Sequence, residues 1–261
     1  MLSVAADFVA RLGSRGTVPG DLRTSWDLER YVAAMARTVT DDELLRIAGQ
    51  ARAVRRTDPA RLAALLAALA DPPMGELNKA RLGAAAGIPP TTLQPYVDVL
   101  VEIGVLRLLP GSRSSAAKRA IGRPRVVFDD PALARHLAGH TPADLLAFSG
   151  RHELAPLLRT VVAAELLRQQ RTSAVEHRVA HLRERNGLEV DLVVELPDDS
   201  LFGIEVRTAA GLRPHQFTSL HALERRAGGR FRGGVVLNTA QRGHVYGPRL
   251  WSLPIASLWD Q

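Results

Sequence analysis

Two short apolar stretches, each with one acidic residue in its interior, constrain the fold of this chain most. Residues 187–195 hold Asp191 and residues 202–207 hold Glu205, and both stretches are rich in the β-branched residues typical of buried strands. A Pro-Asp-Asp-Ser turn separates them. A buried carboxylate is costly unless it is paired or binds a cation. Two such acids on neighbouring strands, with Arg207 two positions after the second, are typical of a divalent-metal phosphodiesterase site.

The composition excludes several classes of site. The chain has 261 residues and no cysteine, which excludes disulfides, thiolate zinc sites and cysteine catalysis and fits a reducing cytoplasm. Its first residues lack the basic and apolar regions of a secretory signal, and no stretch approaches the length of a membrane span. We therefore expect a cytoplasmic, soluble protein with one large or two modest domains.

The net charge of +7 favours polyanionic partners, but its distribution says more than its size. Between Glu102 and Asp129 there is no acidic residue. The basic residues of this window are Arg107, Arg113, Lys118, Arg119, Arg123 and Arg125. Clustered cations on an accessible loop suit contact with nucleic-acid phosphates, although a solvated loop or one docked on an acidic partner would show the same pattern.

The helix and strand patterns divide the chain into four segments, and the fold class they indicate is α/β with a helical N-terminal part. We expect a helical lead-in over residues 1–60, a winged helix-turn-helix over 61–130, a connector over 131–152 and an α/β/α domain around a mixed sheet over 153–261.

The winged helix-turn-helix is predicted from three helices followed by a β-hairpin. The helices are expected over 61–70, 79–86 and 91–103, and the strands over 105–109 and 125–128. The third helix begins with polar residues that suit a DNA groove, namely Thr91, Thr92 and Gln94. Because this helix offers no arginine for a guanine edge, we expect weak or shape-led specificity.

Several short motifs occur in the order known from one family. They are Trp26…Tyr31-Val32, Lys118-Arg119, Pro124-Arg-Val-Val-Phe-Asp129, Gly187-Leu-Glu-Val-Asp191, Ile204-Glu-Val206 and Leu250-Trp-Ser-Leu-Pro254. By these motifs the chain resembles domain-of-unknown-function family 4143, the C-terminal half of a bacterial and archaeal group of AAA-type ATPases. The resemblance implies a winged helix joined to a restriction-endonuclease-like domain, similar in fold to the PD-(D/E)XK nucleases. Members usually begin with a nucleotide-binding domain, but this sequence has no Gly-x-x-x-x-Gly-Lys-Ser/Thr loop, so we expect no ATP binding.

The resemblance also implies roles for three residues. Asp191 and Glu205 would be ligands of Mg²⁺ or Mn²⁺, and Arg207 stands where the family has the lysine that polarises the attacking water. Arginine is effectively never deprotonated, so it is a poor partner in proton transfer. A second departure is Arg159, in a helical turn where the family tends to have an acid. The residues therefore suit either a metal site or an Asp/Glu–Arg network that fixes the sheet, with Arg207 paired to Glu205.

Three functions follow as hypotheses. The first is a DNA-associated, non-enzymatic module that carries a degenerate nuclease-like domain. The second is a Mg²⁺-dependent nuclease with Asp191, Glu205 and Arg207 as its catalytic residues. The third is a protein-interaction platform for a separately encoded AAA-type ATPase.

Overall fold

The computed structural model describes residues 8–14, 23–114, 122–185, 187–209 and 211–259, and the chain divides into two compact units. Unit 1 comprises Met1–Tyr31, Pro110–Gly122 and Glu165–Gln261, and unit 2 comprises Val32–Leu109 and Arg123–Ala164. A short stretch of unit 1 thus lies, in the sequence, inside unit 2. The segment boundaries predicted after residues 60, 130 and 152 stay predictions.

Unit 2 is mostly helical. Its helices are α3 (Asp41–Val54), α4 (Pro59–Ala70), α5 (Lys79–Ala86), α6 (Leu93–Glu102), α7 (Pro131–Leu137) and α8 (Pro142–Leu146). Two further helices, α2 (Leu28–Ala34) and α9 (Arg151–Gln169), each span a sequence boundary between the units. None of the described helices is long and apolar enough to cross a membrane.

The sequence sets both ends of α5 and the tight turn that leads from it to α6. Asn78 caps α5 by accepting two backbone N–H groups of its first turn, and Gly87 ends the helix in the left-handed region with φ 63°. A Cβ at Gly83 would lie 2.4 Å from the carbonyl oxygen of Ile88, so only glycine permits this approach. The predicted helix–turn–helix order is therefore present.

A two-stranded antiparallel sheet follows these helices. Its strands are β1 (Leu106–Leu109) and β2 (Arg125–Phe128), and Leu106 pairs with Phe128. Three helices followed by two paired strands are the element order that the sequence predicts. The assignment of this order to the winged-helix class stays a prediction.

Unit 1 is built on a mixed sheet, as predicted, and the sheet has six strands among the described residues. The strands are β3 (Arg178–Arg183), β4 (Glu189–Glu195), β5 (Leu201–Val206), β6 (Phe231–Asn238), β7 (His244–Gly247) and β8 (Leu250–Pro254), in the spatial order β3-β4-β5-β6-β8-β7. β5 is parallel to β6 and β6 is parallel to β8, while the other neighbours are antiparallel. Helices α1 (Phe8–Ser14) and α10 (Thr218–Ala227) also belong to this unit, so the α/β fold class is confirmed.

Helix α10 lies close over one face of this sheet. A Cβ at Gly203 would come within 2.7 Å of Leu220 and 2.9 Å of Leu223, both on α10. Leu201 on the same strand belongs to the same buried cluster. Because alternate residues of a strand share a face, Glu205 follows these two residues on the α10 side of β5.

Candidate functional site

Antiparallel pairing of β4 with β5 brings the two predicted acids together. Leu192 pairs with Ile204, so Asp191 and Glu205 are the next residues along the two strands. Arg207 comes one residue after β5 ends, where its backbone N–H donates to Leu237 of β6 at 2.9 Å. This bond extends the β5–β6 pairing past the acids and holds the base of the arginine side chain beside them.

The guanidinium of Arg207 contacts both acids and the main chain between them. Its Nη2 donates to Glu205 Oε2 at 2.5 Å, and its Nη1 donates to Asp191 Oδ2 at 3.1 Å and to the carbonyl oxygen of Val206 at 2.8 Å. The backbone N–H of Val206 also donates to Asp191 Oδ2, at 2.9 Å. The predicted pairing of Arg207 with Glu205 is therefore observed, and three oxygens converge on one guanidinium.

The two acids and the arginine differ in how far they are buried. Asp191 is 4 % exposed and Glu205 is 2 % exposed, whereas the Arg207 side chain is 30 % exposed. The acids are thus shielded from water, and the guanidinium forms the outer side of the site. A buried pair in this arrangement interacts more strongly than a surface salt bridge, because little water screens it.

The pKa of Glu205 shows how the site balances its charge. Burial, together with the negative charge of Asp191, raises that pKa to about 8 although Arg207 acts to lower it. Burial also acts to lower the pKa of Arg207, but the two carboxylates outweigh it and the pKa rises. The raised pKa favours the protonated form of Glu205, and the Arg207 cation then faces one charged carboxylate rather than two.

As arranged, these residues do not fit a bound divalent cation. The oxygens of Asp191, Glu205 and Val206 are the hard ligands that Mg²⁺ prefers, but all three accept hydrogen bonds from Arg207. A metal ion would have to displace the guanidinium and the proton of Glu205. Across the described ranges, no group of three or more His, Cys, Asp or Glu side chains is placed to hold a metal.

The residues predicted to contact nucleic acid are placed differently from one another. Arg107 forms an ion pair with Asp129, and Arg125 is buried within β2. Arg123 is exposed in unit 2, and Arg113 is exposed in unit 1. Lys118 and Arg119 lie outside the described residues.

The polar residues at the start of α6 are accessible. Thr91 and Thr92 are exposed, and the Thr92 hydroxyl donates to the carbonyl oxygen of Pro89 at 3.1 Å. Gln94 donates to Asp98 at 2.7 Å, one helical turn further on. The two threonines, rather than the glutamine, are thus the more available of the three predicted contacts.

Sequence reasoning missed a carboxylate that fixes the beginning of the basic window. Glu195 Oε1, at the end of β4, accepts hydrogen bonds from Ser112 Oγ at 2.5 Å, from Arg113 N at 2.8 Å and from Ser114 N at 3.0 Å. Its Oε2 pairs with Arg178 Nη1 at 2.5 Å. Glu195 looks like an ordinary strand end in the sequence, and its partners on the loop lie more than eighty residues away. No local pattern could have indicated these contacts.

Comparison with known proteins gives two family matches. Residues 27–144 match the family described as Domain of unknown function (DUF8612), and residues 156–258 match the one described as Domain of unknown function (DUF4143). No curated protein and no solved structure matches the chain. The match to the DUF4143 family covers the motifs from Gly187 to Pro254, whereas the motifs at Trp26, Lys118 and Pro124 lie outside it. Residues 156–258, which hold Asp191, Glu205 and Arg207, belong to the DUF4143 family.

Proposed function

We propose that this chain is a DNA-associated module whose nuclease-like site does not carry out metal-dependent hydrolysis. The observation that carries the proposal is the position of the Arg207 guanidinium, in contact with Asp191, Glu205 and the Val206 carbonyl. The nuclease-like ancestry rests on the order Asp191, Glu205, Arg207 on two adjacent strands. The proposed loss of activity rests on the hydrogen bonds that Arg207 donates to these two acids.

Electrostatics favour this interpretation. A guanidinium keeps its proton at any physiological pH, so Arg207 is a permanent cation beside the two acids. Because the pKa of Glu205 is raised, its protonated form is favoured, and the site carries less negative charge than two free carboxylates would. A divalent cation entering it would meet a resident positive charge in a poorly screened environment. The site is therefore stable without a metal ion, and it lacks a group that can exchange a proton with water in the lysine position.

The proposed association with DNA has separate support. The chain carries a net charge of +7, and phosphate contact supplies most of the affinity of non-specific DNA binding. Exposed Thr91 and Thr92 lie at the beginning of α6, the third helix of the helix–turn–helix arrangement. In that class of protein the corresponding helix start contacts the groove.

The loss of hydrolysis is tested with supercoiled plasmid. The purified protein is incubated with plasmid and either Mg²⁺ or Mn²⁺, in parallel with Asp191→Ala. We expect neither protein to convert plasmid to open or linear form. Cleavage by the wild type that Asp191→Ala abolishes would show that the site is active.

DNA association is tested by titration of a labelled duplex at low and high salt. We expect binding at low salt that weakens steeply as salt rises, because counterions are released on phosphate contact. Absence of binding at low salt, or affinity that does not change with salt, would contradict the proposal.

A Mg²⁺-dependent nuclease is the second candidate. It is favoured by Glu205 Oε1, a buried carboxyl oxygen that accepts no hydrogen bond from the described residues. The partly exposed Arg207 side chain would have to turn outward to admit a cation. The plasmid experiment distinguishes the two candidates, because only the nuclease predicts cleavage that depends on Asp191.

A further inference from the structure

A group of exposed arginines surrounds the connection between α3 and α4. Its members, named here the α3–α4 patch, are Arg52, Arg55, Arg56 and Arg61. Arg52 lies in the last turn of α3, and Arg55 and Arg56 follow the helix directly. All four lie outside the acid-free window from which nucleic-acid contact is predicted.

The positive charges of the patch are not compensated by ion pairs among the described residues. Within the part of the chain that the structure describes, none of its four arginines forms an ion pair, whereas Arg37 pairs with Glu43 and Arg107 pairs with Asp129. The acid nearest in sequence is Asp58, and its Oδ1 already accepts the Arg61 backbone N–H at 3.0 Å as the cap of α4. Asp58 keeps its negative charge in that role, so residues 52–61, with four arginines and one aspartate, carry a net charge of +3.

The patch is also connected to the helix that the proposed function relies on. The backbone N–H of Asp58 donates to the hydroxyl of Tyr96, on α6, at 3.3 Å. This bond joins the α3–α4 connection to the helix whose start carries Thr91 and Thr92. Both features belong to unit 2.

We infer that the α3–α4 patch is a phosphate-contacting surface for nucleic acid. This inference rests on the proposed DNA association and adds a second contact surface to the one at the beginning of α6. Unpaired cations clustered on one surface attract a polyanion and release its counterions on contact. Every cation of the patch is an arginine, whose planar fork donates two parallel hydrogen bonds to phosphate oxygens. By contrast, Arg107 and Arg125 of the acid-free window are paired or buried.

The test uses the double variant Arg55→Ala/Arg56→Ala of the full chain. These two residues lie beyond the body of α3, so their removal leaves the helix intact, and Arg52, which stabilises the carbonyl end of α3, is kept. A matched control, Arg171→Ala/Arg225→Ala, removes the same charge from exposed arginines of unit 1. Thermal unfolding of each variant confirms that it is folded before binding is measured.

We expect the double variant to bind duplex DNA roughly 10-fold more weakly at low salt than the control variant does. The slope of log affinity against log salt should fall by about two, one for each lost phosphate contact. Wild-type binding that the double substitution leaves unchanged would overturn the patch while the proposed function stands. If the wild type does not bind DNA at all, both are overturned.

An acidic protein is the other class of partner that a basic surface attracts. A poly-glutamate peptide serves as the probe, at the same total charge as the duplex. We expect it to bind the wild type more weakly than DNA does. Equal affinity for the peptide, lost in the double variant, would overturn nucleic acid as the occupant of the patch.

Discussion

Nη2 of Arg207 lies 2.5 Å from Oε2 of Glu205, two residues earlier in the chain, while Nη1 of the same guanidinium contacts Asp191. One cation therefore serves two buried carboxyl groups, and the charge that remains is balanced by a proton on Glu205. Removing Asp191 or Arg207 therefore changes the pKa of Glu205, because Asp191 raises that pKa and Arg207 lowers it. The stability of the sheet and the chemistry of the site are thus linked through the same contacts.

Arg207→Ala should destabilise the protein, because it leaves two buried acids without their cation. We expect the free energy of unfolding at pH 7 to fall by about 2–4 kcal/mol, measured by urea denaturation. Arg207→Lys keeps the charge but loses the two-pronged contact, so its effect should be smaller. An alanine variant as stable as the wild type would show that the network contributes nothing to the fold.

Glu205 should make the free energy of unfolding depend on pH. The effect is expected in the range where Glu205 is protonated in the folded protein but ionised in the unfolded chain. Its pKa is about 8 in the folded protein against an ordinary value of 4.5. Between these values the folded state holds a proton that the unfolded chain has released, so stability falls as pH rises, by up to about 1.4 kcal/mol per pH unit. Urea denaturation at a series of pH values between 5 and 8.5 measures this slope.

Two variants separate this contribution from that of other groups. Glu205→Gln has no carboxyl to titrate, so its stability should depend less on pH over the same range. Glu189→Gln, at an exposed position of β4, should keep the wild-type slope. Identical slopes for the wild type and Glu205→Gln would contradict the raised pKa.

Glu195→Ala should release the stretch from Ser112 to Ser114. Three hydrogen bonds to Glu195 Oε1 hold this stretch, two of them from the backbone N–H groups of Arg113 and Ser114. We expect these two amides to exchange with deuterium faster in the variant, while amides in the middle of β5 keep their protection. Glu189→Gln is the matched control on the same strand. Unchanged exchange at both amides would show that the carboxylate does not hold the loop.

Gly203→Ala should destabilise the protein because α10 leaves no room for a methyl group. The added Cβ would lie 2.7 Å from Leu220 and 2.9 Å from Leu223, which must move. We expect a loss of about 1–3 kcal/mol in thermal unfolding. Gly49 is an exposed residue of α3, and a Cβ added there would have no heavy atom within 4 Å. Gly49→Ala should therefore stabilise the protein by about 0.5–1 kcal/mol. If Gly203→Ala were as stable as the wild type, α10 could shift without a loss of stability.

The sequence is enough to predict the strands of the site and the pairing across it. Asp191 and Glu205 interrupt β-branched runs, and the two-residue spacing from Glu205 to Arg207 places both side chains on one face. The sequence does not indicate the main-chain contribution of Val206, because a backbone carbonyl carries no residue signature. Nor does it indicate the proton on Glu205, which depends on burial in three dimensions.

The prediction of nucleic-acid contacts was limited for a different reason. Counting charges between Glu102 and Asp129 treats every arginine as exposed and free. The fold instead pairs Arg107 with Asp129 across the hairpin and buries Arg125 in the second strand. Pairing across a hairpin follows from its register, which the sequence alone does not fix.

The stretch from Pro110 to Ser114 lies along β3, where Gly111 pairs with His181 in a parallel bridge and Ser112 N donates to the His181 carbonyl oxygen at 2.7 Å. An expression fragment that begins near residue 153 would lack this stretch and leave β3 with an open hydrogen-bonding edge. Open edges recruit other chains, so such a fragment is expected to self-associate. A soluble version of the sheet domain therefore requires a circular permutant or fusion that carries residues 110–114 back to β3.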